Sequence, residues 1–361
     1  MLAACAIPSS RSVLFLVSSV VCCCIWLGNP MLKRGVLLMS YNYLVSFGVA
    51  ALLIGCTSES DIQRPGTFAI ATGGPAGLYY PFGGGMASIW SKTLPHVNAK
   101  AEVTGGSVTN VIQVARHESE LGIAMADVVT DAYLGQGKFT EPLPLKVLFT
   151  AYPNIVHLLT LEGNGITTVA NLAGKRVSLG AAGSGTAVAA ENVITGLGLS
   201  LADIAPAYLS FGETTSALKD GTIDAGFVVG GLGIAAVTEL AVTRDLVLVA
   251  LTDENLSTLK KKFPAYGGYV IPGGTYDKID HDVQALGIWS AVVVHEDMNE
   301  ELAFELTCTM YSHRDALLKV SQVARAMTLE NIHQLAAVPL HPGTLAYVKD
   351  PSQPCSRPTD D

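Results

Sequence analysis

The chain has 361 residues, 49% hydrophobic and 15% charged, with a mean hydropathy of +0.39, which excludes an intrinsically disordered protein and provides core for two or three domain-sized units. A formal net charge of −9, a pI of about 5.4 and the lack of any basic run exclude nucleic acid as a general partner and an electrostatic hold on anionic membrane.

Two apolar segments come first, Val13 to Leu27 and Gly35 to Ile54. The second follows Met31, Lys33 and Arg34 and stops at Leu53-Ile54-Gly55-Cys56 before the polar run Thr57-Ser58-Glu59-Ser60. A short basic start, an apolar stretch and small residues at its end read as a secretory signal peptide. Leu-Ile-Gly-Cys resembles a bacterial lipobox, so cleavage is expected before Cys56 with lipidation of its thiol. The competing reading, a transmembrane helix over Gly35 to Ile54, is weakened by Asn42, two Tyr and two Ser. A second export signal ahead of the first serves no purpose, so translation is expected to start at Met31. Residues 1–55 are then signal region and 56–66 a lipidated Cys with a polar linker. Of the seven Cys, Cys308 and Cys355 remain free of that processing. One falls in an expected helix and the other in a Pro-rich tail, so two unpaired thiols are expected rather than a disulfide.

From Phe68 the pattern alternates between strand and helix. A buried strand, Phe68 to Thr72, leads through Gly73-Gly74-Pro75-Ala76-Gly77 into a helix from about Tyr80 to Lys92. A strand near Lys100 to Thr104, a Gly105-Gly106-Ser107 turn, a helix from 107 to about 118 and a strand from Leu121 to Ala126 follow. The same order recurs about a hundred residues on. Arg176 to Gly180 is a strand, Gly183-Ser184-Gly185-Thr186 a turn, Ala187 to Leu197 a helix, Ala207 to Ser210 a strand, Glu213 to Lys219 a helix and Ile223 to Val229 a strand. Phe68 to Lys100 spans 32 residues and Arg176 to Ala207 spans 31, so the two halves repeat in spacing as well as order. Alternation of this kind predicts parallel sheets and two similar α/β lobes. Two long β-rich runs, Tyr152 to Leu161 and Ala285 to His295, are suited to cross between the lobes. Helical patterns at 299–319 and 328–335 would complete the first lobe. The expected fold is a two-lobed α/β clamshell with two hinge crossings, lobe 1 being 67–156 plus 286–348, lobe 2 being 157–285, and 349–361 a loose tail.

A strand, a Gly-rich turn and a helix together present backbone N–H groups at the lobe edge, and the helix dipole adds partial positive charge, so an anion can be held without Arg or Lys. Each turn alone could be no more than a tight turn; two at equivalent positions of a repeat favour binding. Ser184 and Thr186 add hydroxyls, and Tyr79 or Tyr80 can wall the pocket. Asp127 and Glu213 either capture a ligand ammonium group or serve as caps and surface charges. Ser107 either donates to a ligand or N-caps its helix.

A competing motif, Gly231-Leu-Gly233-Ile-Ala-Ala236, fits G-x-G-x-x-A with Asp253 about 20 residues beyond, which would make a dinucleotide-dependent oxidoreductase. It follows the third strand of its lobe, whereas such a fingerprint opens its domain. Around Ser184 no nucleophile elbow forms, because Ala182 stands where the first Gly belongs. The eight His are scattered, and His295-Glu296-Asp297 lacks the spacing that sets ligands on one helix face, so neither a metal nor a cofactor is expected.

Several segments taken in order resemble the TAXI-type solute-binding subunits of TRAP transporters from about Thr67 to Tyr347. They are Ala71-Thr-Gly-Gly-Pro-Ala-Gly-Leu-Tyr-Tyr-Pro81, Thr104-Gly-Gly-Ser107, Ala126-Asp-Val128, Gly180-Ala-Ala-Gly-Ser-Gly-Thr186, Leu209-Ser-Phe211, Ala217-Leu-Lys-Asp-Gly-Thr-Ile-Asp-Ala225, Ile271-Pro-Gly-Gly-Thr-Tyr276 and Pro339-Leu-His-Pro-Gly343. The resemblance implies a type II periplasmic-binding-protein fold without catalysis, a ligand such as glutamate, glutamine or 2-oxoglutarate in the interlobe cleft, and a TRAP membrane permease as partner. Carried onto this sequence, it points to Thr72, Gly73, Tyr79, Tyr80, Ser107, Asp127, Ser184, Gly185 and Thr186. The family usually has Gln where this chain has Met125, a departure that bears on ligand choice. A ligand sensor without transport would share every one of these features.

Overall fold

The computed structural model describes residues 67–335 and 337–355; the signal region, the expected start at Met31 and the lipidation site at Cys56 lie outside them. The first half runs β1 (Thr67–Ala71), α1 (Tyr79–Thr93), β2 (Asn98–Glu102), α2 (Ser107–Ala115), β3 (Leu121–Met125) and α3 (Ala126–Leu134). A long strand, β4 (Leu145–Leu161), leads to β5 (Arg176–Ser178), α4 (Gly185–Gly196), β6 (Ala205–Ala207), α5 (Phe211–Lys219), β7 (Ala225–Gly230) and α6 (Ala235–Thr243). After β8 (Leu246–Leu248), α7 (Asp253–Lys262) and β9 (Tyr266–Ile271), β10 (Val283–His295) returns to the first half. There α8 (Glu300–Ser312), α9 (Arg314–Val320), two short 3₁₀ turns and α10 (Pro342–Lys349) complete it.

The ten strands among the described residues belong to one hydrogen-bonded sheet with the path β2-β1-β3-β10-β4-β7-β5-β6, to which β8 adds on β4 and β9 on β10. The repeat seen in the sequence is a repeat of topology. β1 pairs in parallel with β2 and β3, and β5 pairs in parallel with β6 and β7, so each lobe has the same three-strand order. Parallel strands need helical crossovers, and the helices between them supply these. Edge strand β6 tolerates Pro206, whose missing N–H would break a central ladder. β4 and β10 lie antiparallel in mid-sheet and join the halves, as expected of two crossings, giving a two-lobed α/β fold. β4 pairs with β10 as far as Ile155 and with β7 from Ile155 onward. Their ladder shifts register between Trp289 and Ala291 and again between Val292 and Val293, so the strands bend where they pass between lobes.

Under the first lobe, Phe82, Trp90, Phe149 and Tyr152 are fully buried in one apolar cluster, and Trp90 Nε1 satisfies its donor on the Leu306 carbonyl at 2.9 Å. Val228, Ile234, Val237 and Leu240 pack in the second lobe.

Three expectations are corrected. The 299–319 helix is two helices interrupted at His313. The 328–335 helix shrinks to a 3₁₀ turn at Glu330–His333, and the chain turns helical again at Pro342, with Pro at the first helical position and His341 Nδ1 accepting from the Gly343 N–H. Cys308 and Cys355 form a disulfide with Cα atoms 5.2 Å apart. Helix α10 packs along α8, so the Pro-rich segment after it returns beside Cys308. The bond anchors Cys355 to α8.

Candidate functional site

A cavity of about 250 Å³ opens between the lobes where β1, β3, β5 and β7 end. Five helices begin at its wall: α1 behind Leu78, α2 behind Gly106, α3 behind Met125, α4 behind Ser184 and α5 behind Ser210. The first N–H groups of a helix have no partner within it, and each start carries a partial positive charge. Ser184 Oγ caps its helix by accepting from the Ala187 N–H at 3.0 Å and leaves the Gly185 and Thr186 N–H groups at the head of α4. No Lys, Arg, His, Asp or Glu side chain lines the cavity among the described residues. Its polar lining consists of backbone, the hydroxyls of Tyr79, Thr104, Ser107, Tyr152, Ser184, Thr186 and Ser210, and the Asn154 amide.

Six of the residues expected at the site, Gly73, Tyr79, Ser107, Ser184, Gly185 and Thr186, come together on this lining. Ser107 Oγ accepts from the Met125 N–H at 3.1 Å, fixing the end of β3 against the start of α2. Tyr79 OH accepts from Asn154 Nδ2 at 3.3 Å, and burial holds its proton far above the ordinary phenol range.

The other four lie elsewhere. Thr72 is fully buried beneath the cavity, and its hydroxyl donates to the Glu102 carbonyl. Tyr80 points outward, 37% exposed. Glu213 is an exposed helix cap: its carboxylate accepts from the Ser210 N–H at 2.8 Å and from its Oγ at 2.7 Å. Asp127, in the first turn of α3, is buried off the lining; its Oδ2 accepts from Tyr266 OH at 2.9 Å and its Oδ1 from the Val128 N–H at 2.9 Å. Burial pushes this carboxyl up to about 6, with the Tyr266 hydrogen bond opposing the rise. Capture of a ligand ammonium by Asp127 or Glu213 is thereby replaced by two structural roles.

Sequence reasoning missed Leu78, Tyr152, Asn154, Phe211 and Val229 on the lining. Tyr152 and Asn154 flank Pro153 in the crossing strand, where alternation in β4 identifies a buried strand and not a cavity wall. The Tyr152 hydroxyl is buried with no hydrogen-bond partner among the described residues. A buried phenol in that state lacks compensation for its desolvation.

The lobes meet across this cavity. The Gly183 carbonyl accepts from the Val108 and Thr109 N–H groups at 3.1 and 3.2 Å, so the start of α2 is occupied by the opposite lobe. Lys138 Nζ lies 2.6 Å from Glu191 Oε2 in α4. Gly185 sits so close to lobe 1 that a Cβ there would stand 2.6 Å from Ser107 Oγ and 2.7 Å from Met125 Sδ. The G-x-G-x-x-A segment does form strand, turn and helix, but a Cβ on Gly231 would stand 2.7 Å from both Leu78 Cδ1 and Val323 Cγ1. Side chains of the opposite lobe fill the space that a pyrophosphate needs. Asp253 opens α7 as an exposed residue and accepts from Gln284 Nε2 at 3.2 Å.

No helix among the described residues is long and apolar enough to cross a membrane. Among solved structures, the chain is similar to the periplasmic aliphatic sulphonate binding protein of Escherichia coli, at 14% identity over 80% of this chain and 84% of that one, TM-score 0.44. It is also similar to the alkanesulfonate-binding protein of Xanthomonas axonopodis pv. citri, at 15% over 80% and 84%, TM-score 0.42, and to an ancestral arginine-binding protein, at 14% over 71% and 97%, TM-score 0.47. Residues 70–350, which include the whole cavity lining, match the model of one protein family, and the chain belongs to that NMT1-like family.

Proposed function

We propose that this protein is an extracytoplasmic solute receptor that binds a small carboxylate between its lobes and hands it to a membrane permease of the TRAP type, without catalysis. The observation that carries this reading is the convergence of helix N-termini on an interlobe cavity without a charged side chain, with the Gly185 and Thr186 N–H groups of α4 facing it while the start of α2 is taken up by the Gly183 carbonyl. Such a wall favours an anion through N–H groups and dipoles. The Gly185 and Thr186 N–H groups, the Ser184 and Thr186 hydroxyls and the unpartnered Tyr152 hydroxyl are the donors a carboxylate would meet. The TAXI-like segments supply the transporter type, and glutamate, glutamine and 2-oxoglutarate are the ligands that type suggests. The wall itself offers no carboxylate for an α-ammonium group, which favours an oxo or hydroxy acid over an amino acid. The lobes are assigned as 67–156 with 286–348, and 157–285, hinging on β4 and β10. The signal region and lipobox point to a lipoprotein held on the membrane through Cys56.

The test is a thermal-shift series on purified protein that has been unfolded and refolded to strip carried-over ligand. Glutamate, glutamine, 2-oxoglutarate, smaller 2-oxo and 2-hydroxy acids, arginine and NADH are each added at millimolar concentration. A ligand at about 100 times its Kd stabilises by roughly 2.7 kcal/mol, a shift of a few degrees. A rise with one or more small acids is expected, and none with arginine or NADH. A response to NADH alone, or to arginine alone, refutes the reading.

A further inference from the structure

A second group of chemically competent side chains lies at the far end of lobe 1. β10 runs antiparallel to β3, with Ser290 opposite Met125 and Val294 opposite Leu121. His295 is therefore about five residues from the cavity end of this ladder, roughly 17 Å at ~3.3 Å per residue. Its Nδ1 lies 2.6 Å from Asp297 Oδ1. His117 arrives from another element, the turn closing α2. Its Nε2 stands 3.7 Å from Asp297 Oδ2, and its ring centroid is 3.9 Å from that of His295. One ligand atom from each of the three residues falls within 4.8 Å of the others.

His117 occupies its position against the preference of the backbone. The His117 N–H bonds to the Val114 carbonyl at 3.1 Å and the Glu118 N–H to the Gln113 carbonyl at 2.8 Å. That is the helix-terminating pattern whose central residue is left-handed and usually Gly. His117 is held there at φ +55°. The turn does not require an imidazole, and a left-handed non-Gly residue is a strain that points to a role for the side chain. The helix-face spacing that His295-Glu296-Asp297 lacks is irrelevant at a strand end, where Asp297 folds back on His295 and the third group comes from the neighbouring turn.

We infer that His117, His295 and Asp297 form a binding site for a divalent first-row transition ion such as Zn2+. One nitrogen of each imidazole and the Asp297 carboxylate serve as ligands, and water completes the shell. Two imidazoles and a carboxylate suit zinc and its neighbours better than calcium or magnesium, which prefer all-oxygen shells. Tetrahedral ligands around one zinc stand about 3.4 Å apart, so small side-chain rotations bring this set together. His117 and Asp297 are more than half exposed and have room to make them. The ion would tie the end of α2 to the end of β10 within one lobe, away from the hinge and the cleft.

The test is calorimetric titration of the chelator-stripped, tag-free full chain with ZnCl2 at pH 7, with CoCl2 absorption as a second readout. One ion per chain is expected, weakened at least tenfold in His295→Ala and in Asp297→Ala. His117→Gly is the decisive variant, because it gives the left-handed position its preferred residue. Its metal-free melting temperature should equal or exceed that of the parent, while Zn2+ binding falls at least tenfold and the tetrahedral Co2+ bands disappear. Failure of the parent chain to take up Zn2+, or equal uptake by parent and a His117→Gly/His295→Ala double variant, overturns the inference.

Discussion

Gly185→Ala tests whether the observed interlobe contact is the ligand-bound closure. At the head of α4 alanine is a better helix former than glycine by up to about 1 kcal/mol, so the substitution does not disfavour the helix itself. The obstacle comes from the other lobe, where the Cβ would stand 2.6 Å from Ser107 Oγ, 2.7 Å from Met125 Sδ and 3.0 Å from Ser107 Cβ. Ser107 is 2% exposed and its hydroxyl is engaged by the Met125 N–H, so it has nowhere to retreat. Overpacking of this kind costs roughly 1 to 3 kcal/mol. Because the cost falls on the closed state alone, it weakens ligand binding by about 5- to 150-fold and leaves ligand-free stability unchanged or slightly raised. Titration calorimetry with the strongest acid from the thermal-shift series measures the affinity, and solution scattering shows whether the ligand still contracts the protein. Gly84→Ala is the control: nothing lies within 4 Å of its added Cβ, and affinity should be retained. Binding by Gly185→Ala as tight as that of the parent would refute the assignment of this contact to closure.

The Lys138–Glu191 pair also spans the lobes, but Lys138 is half exposed. Lys138→Ala should therefore weaken binding by no more than about fivefold, an effect that vanishes at high salt, both readable by calorimetry. Buried Asp127 titrates near 6 when folded against 3.8 in its ordinary state, so the native protein holds the extra proton between those values. Stability falls there as pH rises, by about 3 kcal/mol at 1.36 kcal/mol per unit. Buried His157, its Nε2 2.8 Å from Tyr276 OH, is lowered from 6.5 to about 4 and acts in the opposite sense: its stability is present above 6.5 and lost as pH falls toward 4. Denaturant melts across pH 4 to 6 should show the two slopes largely cancelling in the parent and a clear rise with pH in Asp127→Asn; a flat profile in the variant contradicts the assignment. Opening the disulfide with Cys308→Ser/Cys355→Ser releases a loop of sequence separation 47. The chain-entropy relation puts the loss at up to about 4 kcal/mol, visible in denaturant midpoints and in proteolysis after α10.

The fold was legible because it is written twice. Alternation of strand and helix with a 32- and 31-residue offset, together with the buried runs at Tyr152 and Ala285, carries the topology without long-range information. Edges were read less well where local signals compete. Ala205–Ala207 sits two residues before the expected strand because Pro206 is tolerated on an edge, and α3 starts directly at the end of β3 with no turn residues to announce it. The Gly and Ser positions of the site were legible because helix starts need such residues. Asp127 and Glu213 misled for a physical reason: a carboxylate at a helix start is equally suited to capping and to ligand capture, and only its partner, Tyr266 in one case and Ser210 in the other, separates the two. The Cys308–Cys355 bond was illegible because it depends on α10 packing along α8, a contact that local periodicity does not encode.

A cleft without charged walls has a consequence for how such a receptor would work. A salt-bridging Arg on one lobe would hold an anion in the open form. Here the donors are divided, with Tyr79, Ser107 and Tyr152 on one side and Ser184, Gly185 and Thr186 on the other, and neither half surrounds a ligand alone. Affinity then arises mainly on closure, and any agent that holds the lobes apart lowers it by the full closing preference. A permease that pries the lobes open would release the ligand without having to break an ion pair, and variants that block closure, Gly185→Ala foremost, should mimic that release in solution.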